Sequence, residues 1–143
     1  MRVHQLSVFI ENKSGTLIKI LDILKAENIQ LIAVAIADTA EYGICRIMCC
    51  DPLRAHKVLK EAGIAVALSE VFAIELDNTP GSGADVIKLF SEEGISIAYL
   101  YSFVLNGKGI LIFRTDDAAR AEAITKEKKL KYLIDEELQS LIK

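Results

Sequence analysis

From residue 3 to residue 11 apolar side chains alternate loosely with polar ones, at Leu6, Val8 and Ile10, the period of two expected of a half-buried strand. The period then lengthens. Leu17, Ile20, Leu21 and Leu24 fall at helical spacing between the turn cluster Asn12-Lys13-Ser14-Gly15 and Ala26-Glu27-Asn28, which predicts a helix with one apolar face. Ile29 to Ala37 is rich in β-branched residues and predicts a strand, Asp38 to Glu41 a turn, and Tyr42 to Cys50 the next strand. Asp51-Pro52 reads as a cap with proline at the first helical position, and Leu53, His56, Val58 and Leu59 lie along the helix it opens. Gly63 ends that helix, and Ile64 to Leu68 predicts a short fourth strand.

The pattern then starts again. Displaced by 66 residues, positions 7–62 align with 73–128 without a gap, and 11 of the 56 pairs are identical. They include Asn12/Asn78, Gly15/Gly81, Glu27/Glu93, Gly43/Gly109, Asp51/Asp117 and Arg54/Arg120. An internal repeat of this kind means two copies of one module, here 1–68 and 69–143. In the second copy Phe72, Ile74 and Leu76 predict a strand, Asp77 to Gly81 a turn, and Ala84, Ile87 and Phe90 a helix face. Ile95 to Leu105 and Gly109 to Thr115 predict two strands joined by Asn106-Gly107, a dipeptide suited to positive φ at both central residues. Asp116 or Asp117 caps a further helix, Leu130, Tyr132 and Ile134 alternate as a fourth strand, and Asp135 to Lys143 reads as helical. The order β-α-β-β-α-β, twice, predicts an α+β chain. Each half is a ferredoxin-like module, an antiparallel sheet with its helices on one face. Joined side by side, two such sheets would make one of eight strands.

Composition narrows the function. With 52% hydrophobic and 26% charged residues in 143, the chain is not disordered. Its apolar excess anticipates a covered interface, a homo-oligomer and most simply a dimer. Seventeen basic against 20 acidic residues, net −3, argue against nucleic acid as a partner. The longest uncharged run, Gly94 to Gly107, has 14 residues, too few for a membrane span, and no export leader is expected. Three cysteines, two of them adjacent, make a poor disulfide framework and fit a reducing cytoplasm.

At Asp77-Asn78-Thr79-Pro80-Gly81, and with Ser for Pro at Asn12-Lys13-Ser14-Gly15, the chain resembles the ACT domain, the small-molecule sensing module of amino-acid metabolism. Asn28-Ile29-Gln30-Leu31 and Gly94-Ile95-Ser96-Ile97 fit the family's second-strand start, with Gln and Ser where Asn is frequent. The resemblance implies a free amino acid as ligand. It is held by the first turn of each module (Asn12, Lys13, Ser14, Gly15 and Thr16; Asn78, Thr79, Pro80 and Gly81) and by a neighbouring module's strand start (Gln30 and Leu31; Ser96 and Ile97). It also implies no cofactor, no catalysis, and an effect passed to a partner such as a metabolic enzyme. The chemistry is reasonable. A helix start presents amide N–H groups and the positive end of the dipole to a carboxylate, and an Asn amide can donate to a carboxylate or accept from an ammonium.

Plainer readings cover the other motifs. Cys45, Cys49 and Cys50 lie on or beside an apolar strand, where cysteine packs as a small hydrophobe, and no metal is expected there. Gly81-Ser82-Gly83 opens like a dinucleotide loop but lacks the pattern that should follow. The basic run Lys126 to Lys131 suits a solvated helix end, and Tyr99, Tyr101 and Phe103 share one strand face. His4 and His56 have no counterparts in the second copy and pair with no nucleophile in a recognisable motif. Glu11 and Asp77, at equivalent turn edges, are expected to be solvated. The competing functions are a protein-interaction or oligomerisation module that has lost its ligand sites, and a small ferredoxin-like enzyme.

Overall fold

The structure, a computed structural model, describes residues 2–11, 15–38 and 42–142. Its elements are β1 (Arg2–Glu11), α1 (Thr16–Ala26), β2 (Leu31–Asp38), β3 (Tyr42–Cys49), α2 (Pro52–Glu61), β4 (Val66–Leu76), α3 (Ser82–Glu92), β5 (Ile97–Leu105), β6 (Lys108–Thr115), α4 (Ala118–Glu127) and α5 (Asp135–Ser140). The architecture is α+β with antiparallel pairing throughout. The chain divides into two compact units, His4–Ser69, and Glu70–Lys143 with Met1–Val3.

In the His4–Ser69 unit the strands are ordered β2-β3-β1, and the Phe9 N–H donates to the Ala65 carbonyl at 3.0 Å, so residue 65 lies along the other side of β1. In the second unit the order is β5-β6-β4, with the Glu75 N–H donating to the Lys131 carbonyl at 2.7 Å. Eight separate strands, and with them an eight-stranded sheet, are not formed. Among the described residues there are six. The strand expected over 64–68 and the first strand of the second copy are one uninterrupted β4, and the strand expected over 130–134 shrinks to one bridge, Tyr132 to Ile74. With no Gly, Pro, Asn or Asp between Val66 and Leu76 the chain has no strong reason to break.

The 66-residue repeat recurs in the helix caps and in the arginine bonds that close each first helix. Asp51 caps α2 by accepting from the Arg54 N–H at 3.3 Å, and Asp117 caps α4 from the Arg120 N–H at 3.1 Å. The same arginines reach back 27 residues to the C-terminal ends of α1 and α3. Arg54 Nη2 donates to the Glu27 carbonyl and Arg120 Nη2 to the Glu93 carbonyl, each at 2.6 Å. The Glu27 and Glu93 carboxylates stand 3.0 and 3.7 Å from those guanidinium groups. These side chains are half-exposed, so the ion pairs add little. The charged donor on an orphan helix carbonyl is the larger effect. The identities Asp, Arg and Glu shared by the two copies are therefore structural.

The cores sit between sheet and helices. In the first unit Leu6, Leu24 and Ile47 are fully buried; in the second the same three positions are Phe72, Phe90 and Phe113. Phe113 stacks on Phe72 at 5.3 Å and tilts against Phe90 at 5.1 Å, so one module has an aliphatic centre and the other an aromatic one. A side chain at the repeated Gly43 would meet Ile10 at 3.1 Å, and one at Gly109 would meet Leu76 at 3.4 Å.

Two outcomes follow. Gly63 ends α2 at φ 81°, whereas its counterpart Lys129 takes φ 54° with a side chain. Lys129→Gly should raise the unfolding free energy by about 0.5–1 kcal/mol in urea titration. Arg54→Met and Arg120→Met should each cost about 1 kcal/mol by the same measurement, additively because they lie in different units.

Candidate functional site

Four helices follow a strand, but they begin in two ways. α2 and α4 carry an Asp side-chain cap; α1 and α3 begin at Gly15 and Gly81, at φ 91° and 86°, with no side-chain cap. Glycine has no side chain to cap with, and the hydroxyl of the first helical residue turns back to the strand. Thr16 Oγ1 donates to the Glu11 carbonyl at 2.9 Å, and Ser82 Oγ to the Asp77 carbonyl at 2.8 Å. Each bond ties the first helical residue back to the end of the strand five positions earlier. In α3 the Ser82 N–H reaches the Thr79 carbonyl at 3.3 Å, and the ladder starts with the Asp85 N–H to the Gly81 carbonyl at 3.0 Å. The amides of Gly83 and Ala84 fall between these bonds, at the positive end of the helix dipole.

This turn borders a cavity of about 540 Å³ within the second unit. Leu76, Asp77, Asn78, Thr79, Pro80 and Ser82 form one wall, with Ser102, Phe103 and Val104 of β5 and the glycines of the β5–β6 hairpin opposite. Among the described residues Asp77 is its one charged lining residue. A smaller depression of about 340 Å³ lies beyond the same turn, between α3 and residues 129–131. The volume suits a small metabolite, and the lining offers amide, hydroxyl and carboxylate groups beside an apolar floor.

Of the residues expected to bind, Asn78, Thr79, Pro80 and Gly81 are thus assembled on one turn, all exposed. Gly15 and Thr16 hold the equivalent place in the first unit; Asn12, Lys13 and Ser14 lie outside the described residues. Gln30 and Leu31 line a separate cavity of about 410 Å³ at the C-terminal end of α1, with Leu21, Leu24 and Asn28. Ser96 and Ile97 are not near the 77–82 turn of their own unit. Ile97 pairs with Thr115, at the far end of β6 from Gly109, which pairs with Leu76. Ser96 instead exchanges bonds with Asp116, its N–H donating to Oδ1 at 3.3 Å. Reading residue by residue missed Ser102 and Val104, which only the folding of β5 beside the turn brings to the cavity; the hairpin signal Asn106-Gly107 was the available clue.

Neither histidine lines any of the three cavities. Among the described residues no three His, Cys, Asp or Glu side chains are grouped to hold a metal ion. Cys45 is fully buried, and desolvation pushes its thiol pKa up. No described helix is long and apolar enough to cross a membrane.

Two consecutive modules of this fold, each opening its first helix at an uncapped glycine turn, define the class. The chain belongs to a known family: residues 1–142 match the model of an ACT domain pair. Among solved structures it is similar to protein BT0572 from Bacteroides thetaiotaomicron, at 38% identity and TM-score 0.89, covering 100% of this chain and 97% of that one. It shares its fold with the ligand-free regulatory subunit of aspartate kinase from Thermus thermophilus (16% identity, TM-score 0.60, 86% and 88% covered). It also shares it with Escherichia coli aspartokinase III solved with aspartate and ADP (18%, 0.52), covering 86% of this chain but 30% of that one. Comparison with curated proteins returns no match.

Gly83 replaces the Leu17 of the first copy, and a side chain there would meet only Leu76 Cδ1, at 3.9 Å. Gly83→Ala should therefore stabilise the protein by about 0.5–1 kcal/mol in urea titration, while Gly81→Ala should destabilise it by about 1 kcal/mol because of its φ. Cys45 should resist iodoacetamide in the native state and react only on unfolding, as read by mass spectrometry. Because its folded pKa is raised, its contribution to stability is full below the unfolded thiol value, near 8.5, and is lost as pH rises above it.

Proposed function

We propose that this chain is a non-catalytic regulatory protein whose two ACT domains, 1–68 and 69–143, bind a free amino acid and pass the signal to a partner. The observation that carries the reading is the contrast between capped and uncapped helices. α2 and α4 satisfy their own N-termini with Asp51 and Asp117; α3 leaves that work to something else, at the edge of a cavity of about 540 Å³. A carboxylate suits the amides of Gly83 and Ala84, and an ammonium suits the carboxylate of Asp77 and the amide oxygen of Asn78. A zwitterion carries both charges a few ångströms apart and can meet both kinds of group at once. Asn12, Lys13, Ser14, Gly15 and Thr16 have the same role in the first domain. Gln30, Leu31, Ser96 and Ile97 belong to the reading as contacts offered to a ligand held by another module.

Family membership supports this, as does the fold shared with the regulatory subunit of aspartate kinase. By that likeness the partner is an enzyme of amino-acid metabolism, and the protein acts as a homo-oligomer in the cytoplasm. Charge-assisted bonds of about 1.5–3 kcal/mol each, less the cost of ordering the ligand, lead to affinities of about micromolar to millimolar.

A thermal-shift screen with the twenty amino acids tests the proposal. At least one should raise the melting temperature with a dependence on concentration that saturates, and no response across the set would refute it. Asn78→Ala should leave stability within about 0.5 kcal/mol, since Asn78 is exposed, and weaken that ligand about tenfold by calorimetry.

A further inference from the structure

Gly83 is a glycine without a local reason. It lies inside α3, where glycine is the least favoured residue after proline, and its φ is not positive. No neighbour needs the room either. A Cβ built there would meet Leu76 Cδ1 at 3.9 Å, an ordinary contact, and nothing closer among the described residues. The repeat shows what the position carries otherwise. In the first copy it is Leu17, which packs half-buried against the core of its unit, as does Ile10, the counterpart of Leu76. In the second unit Leu76 remains and the leucine that would lie against it is gone. The apolar surface around it stays open. Val104 pairs with Gly109 and Gly109 with Leu76, so a glycine separates two apolar side chains in one row across the sheet. Leu76 and Val104 both line the cavity beside the 77–82 turn, and Val104 is 75% exposed. The matching row of the first unit, Ile10 and Gly43, ends instead on the charged Asp38.

We infer that Gly83 is the specificity-determining residue of the second domain's ligand site. The hollow it leaves takes the ligand's side chain, and that side chain is aliphatic, of about the bulk of the leucine it stands in for. The second domain is thereby selective for branched aliphatic amino acids such as leucine. The inference rests on the amino-acid reading of the proposed function and adds the class of amino acid. Charge agrees with it. Among the described residues the cavity's one charged group is Asp77, which would repel a second carboxylate on the ligand. A cationic side chain would be set against Leu76 and Val104, surface that cannot solvate it. An aliphatic one covers that surface and gains about fourfold in affinity for each methylene buried. Filling the place from within the chain would stabilise α3 and exclude the ligand, which is the reason a helix-weakening residue stands there.

Titration calorimetry on the full chain tests it, with leucine, valine, alanine, aspartate and lysine as probes of the wild type, Gly83→Ala and Gly83→Leu. Wild type should bind leucine at least about tenfold more tightly than alanine, aspartate or lysine. Gly83→Ala should weaken leucine about fivefold and valine less, moving the preference toward the smaller ligand. A residue with a merely structural role would not shift that preference. Gly83→Leu should abolish leucine binding at the second domain while urea titration shows stability at or above wild type. If Gly83→Leu does not fold, the preference measured in Gly83→Ala decides. Leucine affinity and preference unaltered by both substitutions, or a site closed by Gly83→Leu that had favoured aspartate or lysine, would overturn the assignment. Amino-acid binding indifferent to residue 83 leaves the ligand reading standing, whereas a wild type that binds no amino acid refutes both.

Discussion

A glycine at positive φ, followed by a hydroxyl residue tied to the strand it has just left, decides how α1 and α3 begin. The hydroxyl of Thr16 or Ser82 donates to the carbonyl of residue 11 or 77, five positions earlier. The cap position itself is a glycine, which has no side chain with which to cap the helix ahead. In the second unit the turn that precedes this uncapped helix start lines an open cavity. A cap residue such as the Asp of α2 and α4 would have closed that end from within. The open helix end is a consequence of glycine at the cap position.

The remainder of each module holds that turn in place. β1 and β4 deliver it at the end of a central strand, flanked by β3 or β6 and, on the other side, by residue 65 or 131. The helix that leaves it is secured at its far end by an arginine from the second helix of the same module, aimed at the last carbonyls. Position is thus set at both ends of the first helix by groups that recur 66 residues apart. The core between them is free to change. Leu6, Leu24 and Ile47 become three phenylalanines without altering the backbone bonds around them, because volume and apolarity are what that space requires.

Duplication has not made the halves equal. The first has Leu17 where the second has Gly83, and Gly63 where the second has Lys129 at positive φ. Its strand-to-helix turn contains Ser14 where the second contains Pro80. The second therefore has the stiffer entry into its turn and the more permissive first helical turn after it.

Much of this was legible in the chain. Periodicity and turn chemistry placed β1, β2, β3, β5, β6 and the first four helices to within about two residues, since Gly63, Asn106-Gly107, Asp51 and Asp117 act locally and do not depend on distant contacts. The repeat located the paired Asn and Gly of the turns, and with them half of the candidate site. Three things depended on tertiary structure. Whether two apolar segments in series fuse into one strand depends on what pairs beside them: the sequence has the last strand of the first copy running almost directly into the first of the second, and only the fold makes them one β4. Ser102 and Val104 join the cavity because β5 folds back along β6, a relation between residues more than 20 apart from the turn. Which strand stays outermost is set by sheet order. Local propensity specified the parts; long-range hydrogen bonding alone decided which of them stand next to one another.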